Sequence, residues 1–109
     1  MSLCEETRRG VGSYYERWNA IWNQALVRGA VPPWDVGRPC PEVIRLLDSG
    51  DLLRLGLHSE YTSVLIPGAG SGYDAIGFAK RGFRVTAIDI AEVAVLRCKS
   101  LAEAGATGV

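Results

Sequence analysis

Between Gly12 and Arg28 the apolar residues Tyr14, Trp18, Ile21, Trp22 and Ala25 recur every three or four positions, a spacing that predicts an amphipathic helix. Gly29 is placed to stop it. The stretch Val31-Pro32-Pro33-Trp34-Asp35-Val36-Gly37-Arg38-Pro39 then excludes regular helix through its prolines and glycine. A second, shorter helix follows, with Val43, Ile44, Leu46 and Leu47 as its apolar positions. Gly50 and Asp51 break it, and the segment up to His58 carries no clear period. Residues 1–11 are polar and predict no packed element.

The pattern changes at Ser63. Ser63-Val64-Leu65-Ile66-Pro67 is a short apolar run that ends in a glycine cluster, which predicts a buried parallel strand. A helix is expected from Tyr73 to about Lys80, closed by Arg81-Gly82, and Val85-Thr86-Ala87-Ile88-Asp89 reads as a second buried strand. Val93, Leu96, Leu101 and Ala104 space out a further helix that Gly105 ends, and Thr107-Gly108-Val109 looks like the approach to a third strand. The order is helix, helix, then β-α-β-α, which implies an α/β fold with a parallel sheet and right-handed crossovers. One domain is the ceiling for 109 residues. Residues 12–58 form an N-terminal helical cap in this reading, and residues 62–109 form the first two β-α units.

Composition narrows the function classes. Hydrophobic residues make up 48% and charged ones 22%, which suits a globular chain and argues against disorder. Twelve basic and twelve acidic residues balance, and Arg8-Arg9 is the longest basic run, so nucleic acid is not an implied partner. No apolar stretch approaches the roughly 18 residues that cross a bilayer, and the start of the chain lacks a secretory h-region. Cys4, Cys40 and Cys98 are scattered without C-x-x-C spacing, which suits a reducing compartment and a cytoplasmic protein. No metal-ligand cluster is visible. His58 stands alone in an unpatterned segment, where a surface position is the ordinary expectation.

The chemistry concentrates in Gly68-Ala69-Gly70-Ser71-Gly72-Tyr73-Asp74, a turn from strand to helix. Glycines let a ligand approach the backbone, and the helix start behind them offers unpaired N–H groups. Asp89 closes the second strand, 21 residues beyond Gly68. At that distance a carboxylate reaches the sheet edge beside the loop and can accept ribose hydroxyls, although capping the next helix would also account for it. The dinucleotide fingerprint G-x-G-x-x-G needs a glycine at position 73, where this chain has Tyr73. Gly68, Gly70 and Gly72 instead give G-x-G-x-G, the pattern of S-adenosylmethionine enzymes.

The elements Pro33-Trp34-Asp35-Val36-Gly37-Arg38-Pro39, Leu65-Ile66-Pro67-Gly68-Ala69-Gly70-Ser71-Gly72-Tyr73-Asp74 and Ala87-Ile88-Asp89-Ile90-Ala91-Glu92-Val93-Ala94-Val95 resemble the thiol and halide methyltransferases of the thiopurine S-methyltransferase superfamily. The similarity runs over about residues 14–104. Ile66-Pro67, where many methyltransferases carry an acid, resembles the same branch, while the stretch between Trp22 and Trp34 is a few residues longer than in that family. The resemblance implies a Rossmann-like S-adenosylmethionine methyltransferase fold of which this chain is the N-terminal part. It also implies that Trp18, Trp22 and Trp34 line the cofactor pocket, with Gly68 at its methionine end and Asp89 at its ribose end. An indole face suits a sulfonium cation. At i and i+4, Trp18 and Trp22 equally fit the core stripe of a docking helix.

The implied reaction is methyl transfer from S-adenosylmethionine to a small thiol, thiocyanate or halide. Soft nucleophiles of this kind need no catalytic triad or metal, and no catalytic residue is assigned. Arg38 is a candidate contact for a substrate or cofactor carboxylate, with a surface ion pair as its other reading. The expected partner is the small-molecule substrate, with no nucleic acid or membrane and a monomer at full length; the 109-residue chain alone is expected to be inactive. Two other readings stand beside this one: an NAD(P)-binding Rossmann fragment of an oxidoreductase, and a non-catalytic truncated product that pairs with a full-length partner.

Overall fold

The computed structural model describes residues 12–105, with side chains from Tyr14 onward. Helix α1 (Gly12–Val27) turns its tryptophan stripe inward: Trp22 is 3% exposed and packs with Ala91 and Ala94, and Trp18 and Val93 close over them. Gly29 adopts φ +67°, and the bonds from Ala30 N–H to Ala25 O and from Gly29 N–H to Leu26 O, both 2.9 Å, make a Schellman stop. An irregular strap carries the chain from Ala30 to Cys40. Helix α2 (Pro41–Asp48) begins with proline at its first position, where the missing N–H costs nothing. Gly50, at φ +81°, reverses the chain as expected, but Asp51 starts a new helical turn, α3 (Asp51–Arg54), within a stretch that has no legible period. The Ser49 hydroxyl accepts from Asp51 N–H at 3.2 Å, and an Asp51–Arg54 ion pair spans the turn.

A 3₁₀ turn (Ser59–Tyr61) leads into β1 (Ser63–Pro67), followed by α4 (Tyr73–Lys80), β2 (Arg84–Ile88) and α5 (Glu92–Ala104). The two strands pair in parallel, Ser63 opposite Arg84 and Pro67 opposite Ile88. Thr107, Gly108 and Val109, read above as the approach to a third strand, lie outside the described residues.

The strands are not buried on both faces, as their continuous apolar runs led us to expect. Val64, Ile66, Val85 and Ala87 point to one face, where Phe78 and Ala75 of α4 and Val43 and Leu47 of α2 cover them. Leu65 and Ile88 point to the other and are 61% and 48% exposed. The described helices cover one side of the sheet, so an apolar run reads out as period two. Burial of the Phe78 side chain in this layer contributes roughly 1.5–3 kcal/mol. An ion pair between Arg81 and Asp48 (3.0 Å) ties the end of α4 to the end of α2. Among the described residues, no helix is long and apolar enough to cross a membrane.

Candidate cofactor cleft

The chain leaves β1 through a loop in which Gly68, Gly70 and Gly72 adopt φ of +61°, +58° and +86°. These left-handed values cost a residue with a Cβ roughly 1–2 kcal/mol each, which is why the loop is built of glycine. The loop is held to the second strand by a bond from Ala69 N–H to Ile88 O (2.9 Å). At Gly70 the backbone angle alone calls for glycine, since a Cβ there would stand in ordinary contact, 3.5 Å from Cζ2 of Trp22.

Asp89 lies at the end of β2 and uses both carboxylate oxygens. Oδ2 accepts from Gly70 N–H at 2.8 Å and Oδ1 from Ala91 N–H at 2.9 Å. The second bond satisfies a donor at the start of α5, and Asn19 of α1 satisfies the next, accepting from Glu92 N–H at 2.8 Å. Asp89 thus clasps the glycine loop to the start of α5. Each of its oxygens retains a lone pair for a further donor.

The three tryptophans converge above this loop. Ring centroids of Trp18 and Trp34 are 5.6 Å apart and those of Trp22 and Trp34 6.3 Å apart, both pairs edge-to-face. Tyr14 stacks edge-on against Trp18 at 6.0 Å. Tyr14, Trp18, Trp22, Trp34, Gly68, Gly70, Asp89 and Ile90 together line a cleft of about 460 Å³. That volume lies in the usual range for small-molecule sites, roughly 300–1,000 Å³. Trp22 is mainly a core residue that offers the cleft an edge, whereas Trp34 is 52% exposed and offers much more surface.

Gly72 stands apart from this cleft. It packs against Cys98 of α5, and a Cβ there would overlap the cysteine sulfur. It borders an adjoining recess of about 240 Å³ that shares Trp22, Trp34, Gly68 and Gly70 with the cleft and adds Asp35, Arg38 and Asp74. Burial pushes the Cys98 thiol pKa up, and the nearby Asp89 charge pushes the same way, so the thiol stays neutral.

The strap that carries Trp34 is pinned at its middle and at its far end, by contacts between residues distant in sequence. The Asp35 side chain, 4% exposed, accepts from Gly37 N–H (2.9 Å) and from the Ser71 hydroxyl of the glycine loop. Arg97 Nε of α5 donates to Ser71 Oγ (2.9 Å) and lies 4.0 Å from the Asp35 carboxylate. Further on, Cys40 N–H donates to Asp74 Oδ1 at 2.7 Å, tying the end of the strap to α4. The one local signal was Asp35-x-Gly37, the spacing of an Asx turn. Nothing in the sequence announced Ser71 or Arg97 as its partners.

A glycine loop on a parallel β-α-β frame, an acid closing the second strand and an indole-walled cleft between them define a class: the N-terminal part of a Rossmann-like methyltransferase fold. In agreement, a solved structure reported for the conversion of a disulfide bond into a thioacetal group during echinomycin biosynthesis superposes with a TM-score of 0.56. It is 34% identical and covers 71% of this chain and 28% of its own. The model of the thiopurine S-methyltransferase family matches residues 15–105, and the chain belongs to that family.

Among its relatives, the protein named probable thiol methyltransferase 2 of Arabidopsis thaliana is 34% identical, over 70% of this chain and 30% of its own length. Thiocyanate methyltransferase 1 of Brassica oleracea is 35% identical, over 72% and 29%. The 2-heptyl-1-hydroxyquinolin-4(1H)-one methyltransferase of Mycobacteroides abscessus is 33% identical, over 73% and 32%. The chain therefore spans about a third of the length of the curated relatives it matches.

Proposed function

We propose that the indole-walled cleft binds S-adenosylmethionine for methyl transfer to a small nucleophile of the thiol, thiocyanate or halide class. The observation that carries this reading is the convergence of Trp18, Trp22 and Trp34 on Gly68, Gly70 and Asp89 around one cleft. The residues fit the ligand's chemistry. Indole faces suit a sulfonium cation, worth roughly 0.5–2 kcal/mol at about 6 Å. Cβ-free backbone at Gly68 and Gly70 lets the methionine portion come close, and the free lone pairs of Asp89 suit ribose hydroxyls. When bound, the group supplies an electrophilic methyl carbon that a soft nucleophile takes by in-line displacement. The chain's part is to hold the sulfonium, orient it and keep water out with indole surface.

The relatives' names support thiol and thiocyanate acceptors, and one relative is named for a hydroxyquinolinone acceptor instead. Because the chain spans about a third of those relatives, we expect the 109 residues by themselves to bind the cofactor without turnover. A cytoplasmic setting and a monomeric full-length protein belong to the same proposal.

Calorimetric titration tests the assignment. S-adenosylmethionine should bind saturably, NAD should not compete, and Trp34→Ala should weaken binding by about tenfold. Competition by NAD, or a Trp34→Ala chain that binds as tightly as the parent, would return the site to the dinucleotide reading or to a plain aromatic core.

A further inference from the structure

Trp34 covers the cleft and packs edge-to-face against Trp18 and Trp22, yet about half of its surface stays open. It is 52% exposed and sits on a strap that belongs to no helix or strand. The next residue has the opposite character. The Asp35 carboxylate is withdrawn from water, although burying a charge costs several kcal/mol unless partners compensate. Its partners come from three places: its own strap (Gly37), the glycine loop (Ser71, itself buried) and α5 (Arg97). Arg97 also reaches the Tyr73 hydroxyl at 3.5 Å, so its guanidinium is held against the loop rather than turned into solvent. Within the strap, Pro32 is fully buried and its carbonyl accepts from Asp35 N–H at 2.9 Å. Main chain and side chain of Asp35 are both fixed, and the residue between Pro33 and Asp35 has little freedom left.

We propose that Asp35 is a positioning residue: with Ser71 and Arg97 it latches the strap to the glycine loop and so holds the Trp34 indole over the cleft. The latch acts on the apo chain. Its consequence for affinity rests on the cofactor reading above, and the two can fail separately.

The test compares Asp35→Ala and Asp35→Asn with the parent chain. In the absence of ligand, near-ultraviolet circular dichroism reports the edge-to-face indole cluster, and the difference from Trp34→Phe isolates the part due to Trp34. Asp35→Ala should lose most of that part. Asp35→Asn, which keeps an oxygen able to accept from Gly37 N–H or the Ser71 hydroxyl, should recover most of it. In the ligand arm, S-adenosylmethionine is compared with S-adenosylhomocysteine, which lacks the methyl and the positive charge. Loss of an ordered indole should raise the Kd for the sulfonium by about tenfold while the neutral thioether changes by about twofold or less.

An Asp35 that merely stabilises the fold would lower the melting temperature and leave the ratio of the two affinities unchanged. That result, or a Trp34 signal that survives in Asp35→Ala, overturns the proposal. Should Asp35→Ala not fold, Ser71→Ala removes the latch's link to the loop and should shift both readouts in the same direction, to a lesser extent; unchanged readouts there also overturn it. If the parent chain binds neither ligand, the cofactor reading fails and the dichroism arm still decides the latch.

Discussion

Replacing Gly72 by alanine probes why the glycine loop and α5 sit where they do. At φ +86° a residue with a Cβ is strained by roughly 1–2 kcal/mol whatever surrounds it. The added Cβ would also overlap Cys98 Sγ and lie 3.1 Å from Cys98 Cβ and 3.6 Å from its backbone Cα. Neither element yields cheaply, because Cys98 is a buried residue in the middle of α5. Forcing α5 away should cost a further 1–3 kcal/mol or so, as overpacking generally does. The sum, about 2–5 kcal/mol, is a large share of the roughly 5–15 kcal/mol that holds a domain together. Gly68→Ala is the internal control: its φ is +61° and its Cβ would meet nothing within 4 Å, so it should cost only the backbone strain of about 1–2 kcal/mol. Urea unfolding followed by far-ultraviolet circular dichroism measures both. Adding Cys98→Ala to Gly72→Ala removes the sulfur but not the Cβ, and should return part of the loss as a coupling of about 1–2 kcal/mol. Equal destabilisation by Gly72→Ala and Gly68→Ala, or strict additivity of Gly72→Ala with Cys98→Ala, would refute the packing argument.

Other consequences are as direct. Of the two cysteines in the described residues, exposed Cys40 should react with iodoacetamide well before buried Cys98, as peptide mapping would show. Because the folded-state pKa of Cys98 is raised, its contribution to stability is present below the ordinary thiol pKa. It should be lost as pH climbs through the higher folded value, so urea midpoints should fall at alkaline pH in the parent and fall less in Cys98→Ala. Phe78→Ala, in the covered layer of the sheet, should cost about 3–5 kcal/mol. Leu65→Ala, on the open face, should cost less than about 1 kcal/mol in the same urea experiment.

What could be read in the sequence follows from which interactions are local. The span of α1, the stop at Gly29 and the glycine loop between β1 and α4 were legible because each depends on neighbours within a turn or two. The gathering of Trp18, Trp22, Trp34, Gly68, Gly70 and Asp89 around one cleft was foreshadowed by the loop, the acid behind it and the family resemblance. What escaped depends on residues distant in sequence. Asp35 meets Ser71 and Arg97, and Asn19 reaches Glu92 across 73 positions, through contacts that no spacing encodes. Gly72 shares the glycine pattern and also packs against Cys98, a contact that the spacing does not announce, since a positive φ looks the same whether a ligand or a helix requires it. Leu65 and Ile88 read as interior because strand composition reports apolarity, not which face the neighbouring helices cover.

The most direct measurement of the central claim is a ¹H–¹⁵N correlation spectrum of the labelled chain, which resolves the three indole N–H groups by substitution of each tryptophan. S-adenosylmethionine should shift the Trp18 and Trp34 indole signals, and the Trp22 signal less because its ring is largely core, together with the amides of Gly68 and Gly70. All should shift at one saturating concentration, with no response to NAD. Indole signals that stay in place while S-adenosylmethionine is raised to saturation, in a chain whose spectrum is that of a folded protein, would contradict the account.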